Sequence, residues 1–219
     1  MTGATASEAL LADSVYRDLT ERIFVGSLGP GAPLSVPAIA AELEVSRSPV
    51  RDAVQRLVAG GLAVHVPHAG AKVAKIDDHD IEDVFSVRRT LDGLAARGAT
   101  ERASTEDVTA LFGLLVEQEE RLQGPPDALT EARLDLEFHT AVRDLAGNSV
   151  LSDVLHQLDI RAHLYNSGLW SDRRARELAV AEHQRIVDAI ESGDANAAEQ
   201  AATAHVSAIL VRMRRLRHP

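Results

Sequence analysis

The stretch Ser35-Val36-Pro37-Ala38-Ile39-Ala40-Ala41-Glu42-Leu43 is followed, after Glu44 and Val45, by Ser46-Arg47-Ser48-Pro49-Val50-Arg51-Asp52-Ala53-Val54-Gln55-Arg56-Leu57, and this pair of segments decides the fold of the first part of the chain. Ser46 is a favoured N-cap, because its side-chain oxygen can accept a backbone N–H, and Pro49 falls in the first turn, where a missing N–H is harmless. Val50, Ala53, Val54 and Leu57 then build an apolar stripe at helical spacing, while Arg47, Arg51 and Gln55 repeat one turn apart on another face. Ser35 caps a shorter helix upstream. The few residues between the two helices have helix-turn-helix spacing.

Working outward, Gly60-Gly61 ends the second helix, and Leu62–Pro67, His68-Ala69-Gly70 and Ala71–Lys75 read as strand, turn and strand, the hairpin that makes a wing. A basic face on a lone amphipathic helix is usually just solvated. The short preceding helix and the wing favour the other reading, a face that meets DNA.

The run Pro30-Gly31, Leu34, Ile39-Ala40, Leu43, Val45-Ser46-Arg47-Ser48-Pro49-Val50-Arg51, Leu57, Gly60-Gly61-Leu62 and Gly70 resembles the winged-helix domain of the GntR family of bacterial transcription regulators. That resemblance implies that Arg47 and Arg51 enter the major groove of operator DNA, where the planar guanidinium matches O6 and N7 of guanine. It further implies that Ser46, Ser48 and the helix N-terminus hold phosphates, and that His68 and Gly70 at the wing tip approach the minor groove or backbone. Two positions depart from the pattern. Glu44 stands in a turn where such proteins usually carry Gly, which predicts a strained turn, and Pro37 stands where many relatives carry a DNA-touching Arg.

With 219 residues and 45% hydrophobic content, the chain is expected to form one or two domains with ample core. No run of 18 apolar residues occurs, and residues 1–8 lack the basic and apolar regions of a secretory signal, so a cytoplasmic protein without a membrane partner is expected. The absence of cysteine excludes disulfides and thiolate metal sites. The net charge of −10 is unevenly spread: residues 1–76 hold seven basic and seven acidic side chains, so the whole excess of acid lies in residues 77–219. Residues 45–75 carry Arg47, Arg51, Arg56, Lys72 and Lys75 against Asp52 alone, a locally positive surface. The expected division is a winged helix-turn-helix domain over residues 1–76 and a helical domain over residues 77–219.

The second part has no strand signal and reads as six helices, approximately Asp78–Arg102, Thr105–Gln123, Asp127–Ala146, Ser149–Ser167, Asp172–Ser192 and Asp194–Arg217. Ser104-Thr105-Glu106-Asp107 and Ser192-Gly193-Asp194 are cap and stop signals, and Gly124-Pro125-Pro126 breaks a helix. The fold class is therefore mainly α: a winged helix with a small hairpin, joined to an all-α antiparallel bundle whose core is aliphatic, since aromatics make up only 3%.

Within this bundle Asp135 and His139 stand at i and i+4 on one helix face, a chelating arrangement for a divalent ion. His183 and His205 put one more imidazole on each of the last two helices, and antiparallel packing across the Asp194 turn can bring them level. A lone helical His is more often a surface or satisfied core residue, and His65, His79, His156, His163 and His218 are read that way.

Asp135-x-x-x-His139, Gly147-Asn148, Glu182-His183-x-x-Ile186-Val187-x-Ala189-Ile190, Gly193-Asp194, Ala198 and His205 together resemble the FCD effector domain attached to one large GntR subfamily, in its shorter six-helix branch. Many such domains bind a divalent metal through one Asp and three His, which here implies Asp135, His139, His183 and His205. Three imidazoles and one carboxylate suit Zn²⁺, with Ni²⁺ or Mn²⁺ as alternatives. The resemblance implies a homodimer that binds a pseudo-palindromic operator, more often as a repressor, and responds to a small carboxylate-bearing metabolite beside the metal. It also implies that Arg88 lines the effector cavity and can pair with an anion. A metal sensor, with the ion itself as signal, is the alternative. A metal-dependent enzyme using Glu137 or Glu182 as base is the third reading, and a winged helix does not favour it.

Overall fold

Ala12, Val15, Leu19 and Ile23 recur at helical spacing, and in the structure all four are buried on a first helix, α1 (Thr2–Phe24), that packs against the helix over Arg47–Ala59. The structure is a computed structural model, and it describes residues 2–24, 26–67, 70–75, 77–165 and 167–217. The chain divides into two compact units, residues 1–77 and 78–219. Among the described residues no helix is long and apolar enough to cross a membrane.

The first unit continues with β1 (Pro33–Leu34), α2 (Val36–Glu42), α3 (Arg47–Ala59), β2 (Ala63–Val66) and β3 (Gly70–Val73). The expected hairpin is present, with Ala63 opposite Val73 and Val66 opposite Gly70. Its partner β1 was not foreseen from the sequence: Pro33 and Leu34 pair with Lys72 and Ala71, so the sheet order is β1-β3-β2. A strand of two residues is too short to show an alternating pattern. Ser35 caps α2 by accepting from Ala38 N at 3.4 Å. Ser46 occupies the N-cap position of α3 with extended backbone, but its hydroxyl makes no capping bond, a correction to the sequence reading. The expected strain in the turn is present: Glu44 has φ of 54°, the left-handed region that Gly tolerates and a β-carbon does not.

The second unit contains α4 (Asp78–Thr100), α5 (Thr105–Arg121), α6 (Ala128–Leu145), α7 (Ser149–Tyr165), a 3-10 turn (Ser167–Ser171), α8 (Arg173–Glu191) and α9 (Ala195–Arg217). Six helices were expected and six are described, with boundaries set by local chemistry. Ser104 and Asp107 form a reciprocal capping box at α5, Asp127 accepts from Leu129 N and Thr130 N at α6, and Asp172 accepts from Ala175 N at α8. Three C-terminal ends fall two residues short of the expected ones, α4 at Thr100 rather than Arg102, α5 at Arg121 rather than Gln123 and α7 at Tyr165 rather than Ser167; Ser167 and Gly168, both poor helix formers, begin the 3-10 turn that buries Leu169 and Trp170.

Helix α4 is the central strut, packing on α6, α7, α8 and α9. Gly93 is what lets α9 come so close, because a β-carbon there would lie 2.7 Å from Thr203 Oγ1 and 3.2 Å from the Glu199 carbonyl oxygen. The core between α4, α5, α6, α8 and α9 is aliphatic apart from Phe138 and, at its edge, Phe112, with Leu111, Leu115, Ile186 and Val187 almost wholly excluded from solvent. By area alone such side chains contribute roughly 1.5–3 kcal/mol each on burial. The polar exceptions to this core are gathered in one place.

Candidate metal centre and nucleic-acid interface

In the first unit, Pro49, Val50, Ala53, Val54 and Leu57 turn inward from α3, which leaves Arg47, Ser48, Arg51 and Gln55 exposed. Ser46 is exposed beside them at the helix N-terminus. Arg56, counted in the positive surface from sequence, is committed elsewhere. Its guanidinium lies 2.6 Å from Asp13 Oδ1 and 4.2 Å above the Tyr16 ring, tying α3 to α1. Gly70 is exposed at the start of β3 with φ of 86°, a conformation that suits Gly at a hairpin end. His68 lies outside the described residues.

In the second unit the buried polar residues converge. Asp135 and His139 project from one face of α6, His183 from α8 and His205 from α9, and one donor atom from each lies within 4.8 Å of all the others. His139 Nε2 is 3.3 Å from His205 Nε2 and 3.8 Å from Asp135 Oδ2, and His183 Nε2 is 3.5 Å from Asp135 Oδ1. Ligand bonds of about 2.0–2.2 Å in a tetrahedral site put donors roughly 3.3–3.6 Å apart. These three separations approach that spacing, within a set that spans up to 4.8 Å.

The outer bonds fix which nitrogen faces inward. The Gln118 amide nitrogen donates to the Leu134 carbonyl at 3.0 Å, so its oxygen faces His183 Nδ1 at 2.9 Å and can only accept. His183 therefore carries its proton on Nδ1 and presents a bare Nε2 to the cluster. His205 Nδ1 likewise donates to Glu182 Oε2 at 2.9 Å, and Glu182 is clamped by Arg212 through both oxygens at 2.7 and 2.6 Å. Burial alone would raise the Glu182 carboxyl, but the Arg212 and His205 bonds outweigh it and hold it at about 2. Ring-stacking of Phe138 on His183, with centroids 4.1 Å apart, completes the support.

Burial dominates the electrostatics of the cluster. Burial pushes the Asp135 carboxyl up to about 8, against the pull of Arg88. Burial, followed by the neighbouring imidazoles, holds His139 and His183 well below the usual imidazole range. Asp135 Oδ1 and His183 Nε2 are buried without a hydrogen bond among the described residues. Orphaned buried acceptors of this kind cost about 1–3 kcal/mol each unless something is bound to them. A divalent ion satisfies both, and the donors present fit one.

A cavity of about 20 Å³ adjoins the cluster, lined by apolar Phe85, Trp170, Ile209 and Met213 and by polar Arg88, Asp135 and His163. Arg88 was expected at this wall and is there, but it is 5% exposed and already paired. Its Nη2 lies 2.7 Å from Asp159 Oδ1, an ion pair off the hydrogen-bond axis, and its Nε 3.3 Å from Asp92 Oδ2. Burial opposes the charge, yet Asp159 and Asp92 raise the Arg88 pKa above its ordinary value. Asp159 also receives Arg143, which in turn contacts Thr140 and the His156 ring.

Sequence reasoning therefore assembled the four donors but missed their surroundings. His163, read as a surface or satisfied core residue, lies at the cavity wall with Nε2 3.8 Å from Asp135 Oδ2. Gln118 shares the buried face of α5 with Leu111 and Leu115, and a Gln on such a stripe is itself a signal of a buried polar partner. Glu137, one candidate base of the enzyme reading, is exposed, and the other, Glu182, has both oxygens engaged.

Comparison with known proteins agrees with this architecture. Residues 11–73 match the family of bacterial regulatory proteins described as gntR, and residues 83–208, more than half the chain, match the FCD domain. The chain is 31% identical over 211 residues to a probable D-xylose utilization operon transcriptional repressor of Paenarthrobacter nicotinovorans, covering 95% of this chain and 91% of that protein. It is 26% identical over 204 residues to the HTH-type transcriptional repressor RspR of Escherichia coli (strain K12), covering 93% and 89%. Among solved structures, E. coli McbR/YncC superposes with a TM-score of 0.84 at 20% identity, covering 94% of this chain and 98% of that one, which is a likeness of fold. With its winged helix and its FCD-type bundle, the chain belongs to the FCD-domain branch of the GntR family, DNA-binding transcriptional regulators rather than enzymes.

Proposed function

We propose that this regulator is a homodimeric repressor that leaves its operator when a small carboxylate binds beside a divalent ion held by Asp135, His139, His183 and His205. The observation that carries the reading is the buried four-donor cluster with two orphaned atoms, set against a cavity. Zn²⁺ suits three imidazoles and one carboxylate, and Ni²⁺ or Mn²⁺ suit them next. When bound, such an ion supplies a Lewis-acidic position for a carboxylate oxygen.

Charge supports an anionic effector. Arg88 and Arg143 are balanced by Asp92 and Asp159, which leaves Asp135 as the unbalanced buried charge. A divalent ion on Asp135 turns that surplus into one positive charge, the complement of one carboxylate. Arg88 stands in the same cavity wall, its own charge taken up by Asp159 and Asp92.

At the output end, Arg47 and Arg51 read bases, and Ser46, Ser48 and the Gly70 backbone take phosphate and sugar contacts. Exposed apolar side chains on the packed helices α4 and α7, among them Leu94 at 47% and Val150 at 71%, support a face covered by a second copy. Sedimentation of wild type and Leu94→Glu tests that part, a dimer giving way to monomer.

The small cavity favours one second reading, in which the ion itself is the signal. Operator release from fully metallated protein on adding carboxylates supports the effector reading, because a ligand must bind the two states unequally to shift them. Release that follows free metal alone, with no carboxylate effect, supports the sensor.

A further inference from the structure

Arg47, Arg51 and Gln55 stand one turn apart on α3, and at about 100° of rotation per residue each is displaced by roughly 40° from the one before. The drift carries the line away from the buried stripe of Val50, Ala53, Val54 and Leu57, so Gln55 is the member that lies most nearly opposite the core. All three are exposed, and their side chains make no hydrogen bond or ion pair among the described residues. Arg56, by contrast, is held by Asp13 and Tyr16. Asp52, about 60° further round than Gln55, is exposed as well. A carboxylate repels phosphates, so α3 can roll towards DNA on its Arg51 side and not on its Asp52 side. Ser48, Arg51 and Gln55 also have the spacing i, i+3, i+7 with which a helix lying in the major groove presents side chains to base edges.

We propose that Gln55 is a specificity-determining residue of the DNA interface and reads an adenine in each operator half-site, about two base pairs from the guanine taken by Arg51. The inference rests on the reading of α3 given above, in which Arg47 and Arg51 meet bases, and adds to it a third base and a distance. A rise of about 1.5 Å per residue sets Arg51 and Gln55 about 6 Å apart along the helix, and base pairs stack at about 3.4 Å. The Gln amide carries a donor and an acceptor side by side. Its Nε2–H donates to adenine N7 while its Oε1 accepts from the adenine N6 amino group, a pairing that no other base offers in the major groove. Guanine sets O6 against Oε1, cytosine offers only its N4 amino group, and thymine only O4 and a methyl group.

The full chain selects binding sites from a random pool of double-stranded oligonucleotides, with Arg51→Ala and Gln55→Ala taken through the same selection. Wild type is expected to enrich half-sites that carry a guanine, lost in Arg51→Ala, and an adenine about two base pairs away, lost in Gln55→Ala. Gln55→Ala should fold, because Gln55 is exposed and Ala is the stronger helix former, and a thermal melt checks it. On the wild-type consensus this variant binds about 5- to 150-fold more weakly, with an unchanged salt slope since the lost side chain is neutral. Replacing that adenine by 7-deazaadenine, which removes N7 alone, weakens wild type and leaves Gln55→Ala unaffected. Gln55→Glu, which can only accept, moves the preference to cytosine. An Arg51-dependent guanine with no adenine that depends on Gln55 overturns the proposal and leaves the reading of α3 standing. Uniform weakening of Gln55→Ala over all sequences overturns it too, since that marks a backbone contact. If wild type enriches no sequence, or Arg51→Ala enriches the same one, the reading of α3 itself fails and this inference with it.

Discussion

Gln118 Oε1 lies 2.9 Å from His183 Nδ1 while the same amide donates at 3.0 Å to the Leu134 carbonyl, so one buried side chain of α5 decides which nitrogen of a histidine on α8 faces the cluster. Outer hydrogen bonds of this type orient a ligand and raise its basicity. Gln118→Leu, near in volume, is expected to lower metal affinity by roughly 10–100-fold. Competition with a chromophoric chelator measures it, and unchanged affinity would show that packing alone orients His183.

The metal-free protein has a predictable pH dependence. The folded-state pKa values of His139, His183 and His205 are lowered, burial being the main cause, so the unfolded chain takes up protons that the folded form refuses, and stability climbs as pH rises towards about 6.5. Asp135 has the opposite sign. Raised by burial to about 8, it keeps a proton that the unfolded chain has lost, so its contribution falls as pH rises from about 4 to about 8. The three imidazoles dominate just below 6.5 and Asp135 alone remains above it, which places a stability maximum near there. Denaturant melts across pH check this. Metal binding at pH 7 should also release about one proton, read from calorimetry in buffers of different ionisation enthalpy; no release would remove Asp135 from the ligand set.

Two arginines of one helix should separate cleanly. Arg47→Ala is expected to weaken operator binding by about 1–3 kcal/mol with folding intact. Arg56→Ala, whose native partners are Asp13 and Tyr16, should leave operator affinity alone and lower stability by up to about 1 kcal/mol, a partly exposed pair being screened by solvent. Titrations of a labelled operator beside thermal melts decide the matter. Full affinity in Arg47→Ala would sink the assignment of α3.

The strained turn offers a stabilising change. Glu44 pays a left-handed penalty of roughly 1–2 kcal/mol, partly offset on changing to Gly by about 0.4–1 kcal/mol of added freedom in the unfolded chain. Glu44→Gly should therefore stabilise the first unit by roughly 0.5–1 kcal/mol. A lower melting temperature would mean that the Glu44 side chain makes a contribution larger than its backbone strain.

Much of this was legible in the chain because it is local. Caps such as Ser35, Ser104, Asp127 and Asp172 act within three residues, and the helices begin where those residues stand. Asp135 and His139 were visible as a pair because one helical turn places them together. Even α1, which escaped notice, had its signal in Ala12, Val15, Leu19 and Ile23. Ser46 shows the limit of local reading: the residue type and backbone suit a cap, yet the hydroxyl makes no such bond.

By itself the sequence determined the helices from α2 onward, the wing hairpin and the four candidate donors, since each follows from spacing or punctuation along a single element, and the division of charge, which is a matter of counting. Only the tertiary structure decided what surrounds those donors. Gln118 meets His183 from 65 residues away, and Arg88 spends its charge on Asp159 of another helix. His163 sets one nitrogen against the Asp159 carbonyl and the other 3.8 Å from Asp135 Oδ2. Such pairings depend on how α4 to α9 pack against one another, and no periodicity in the chain encodes which side chain of one helix will face which side chain of the next.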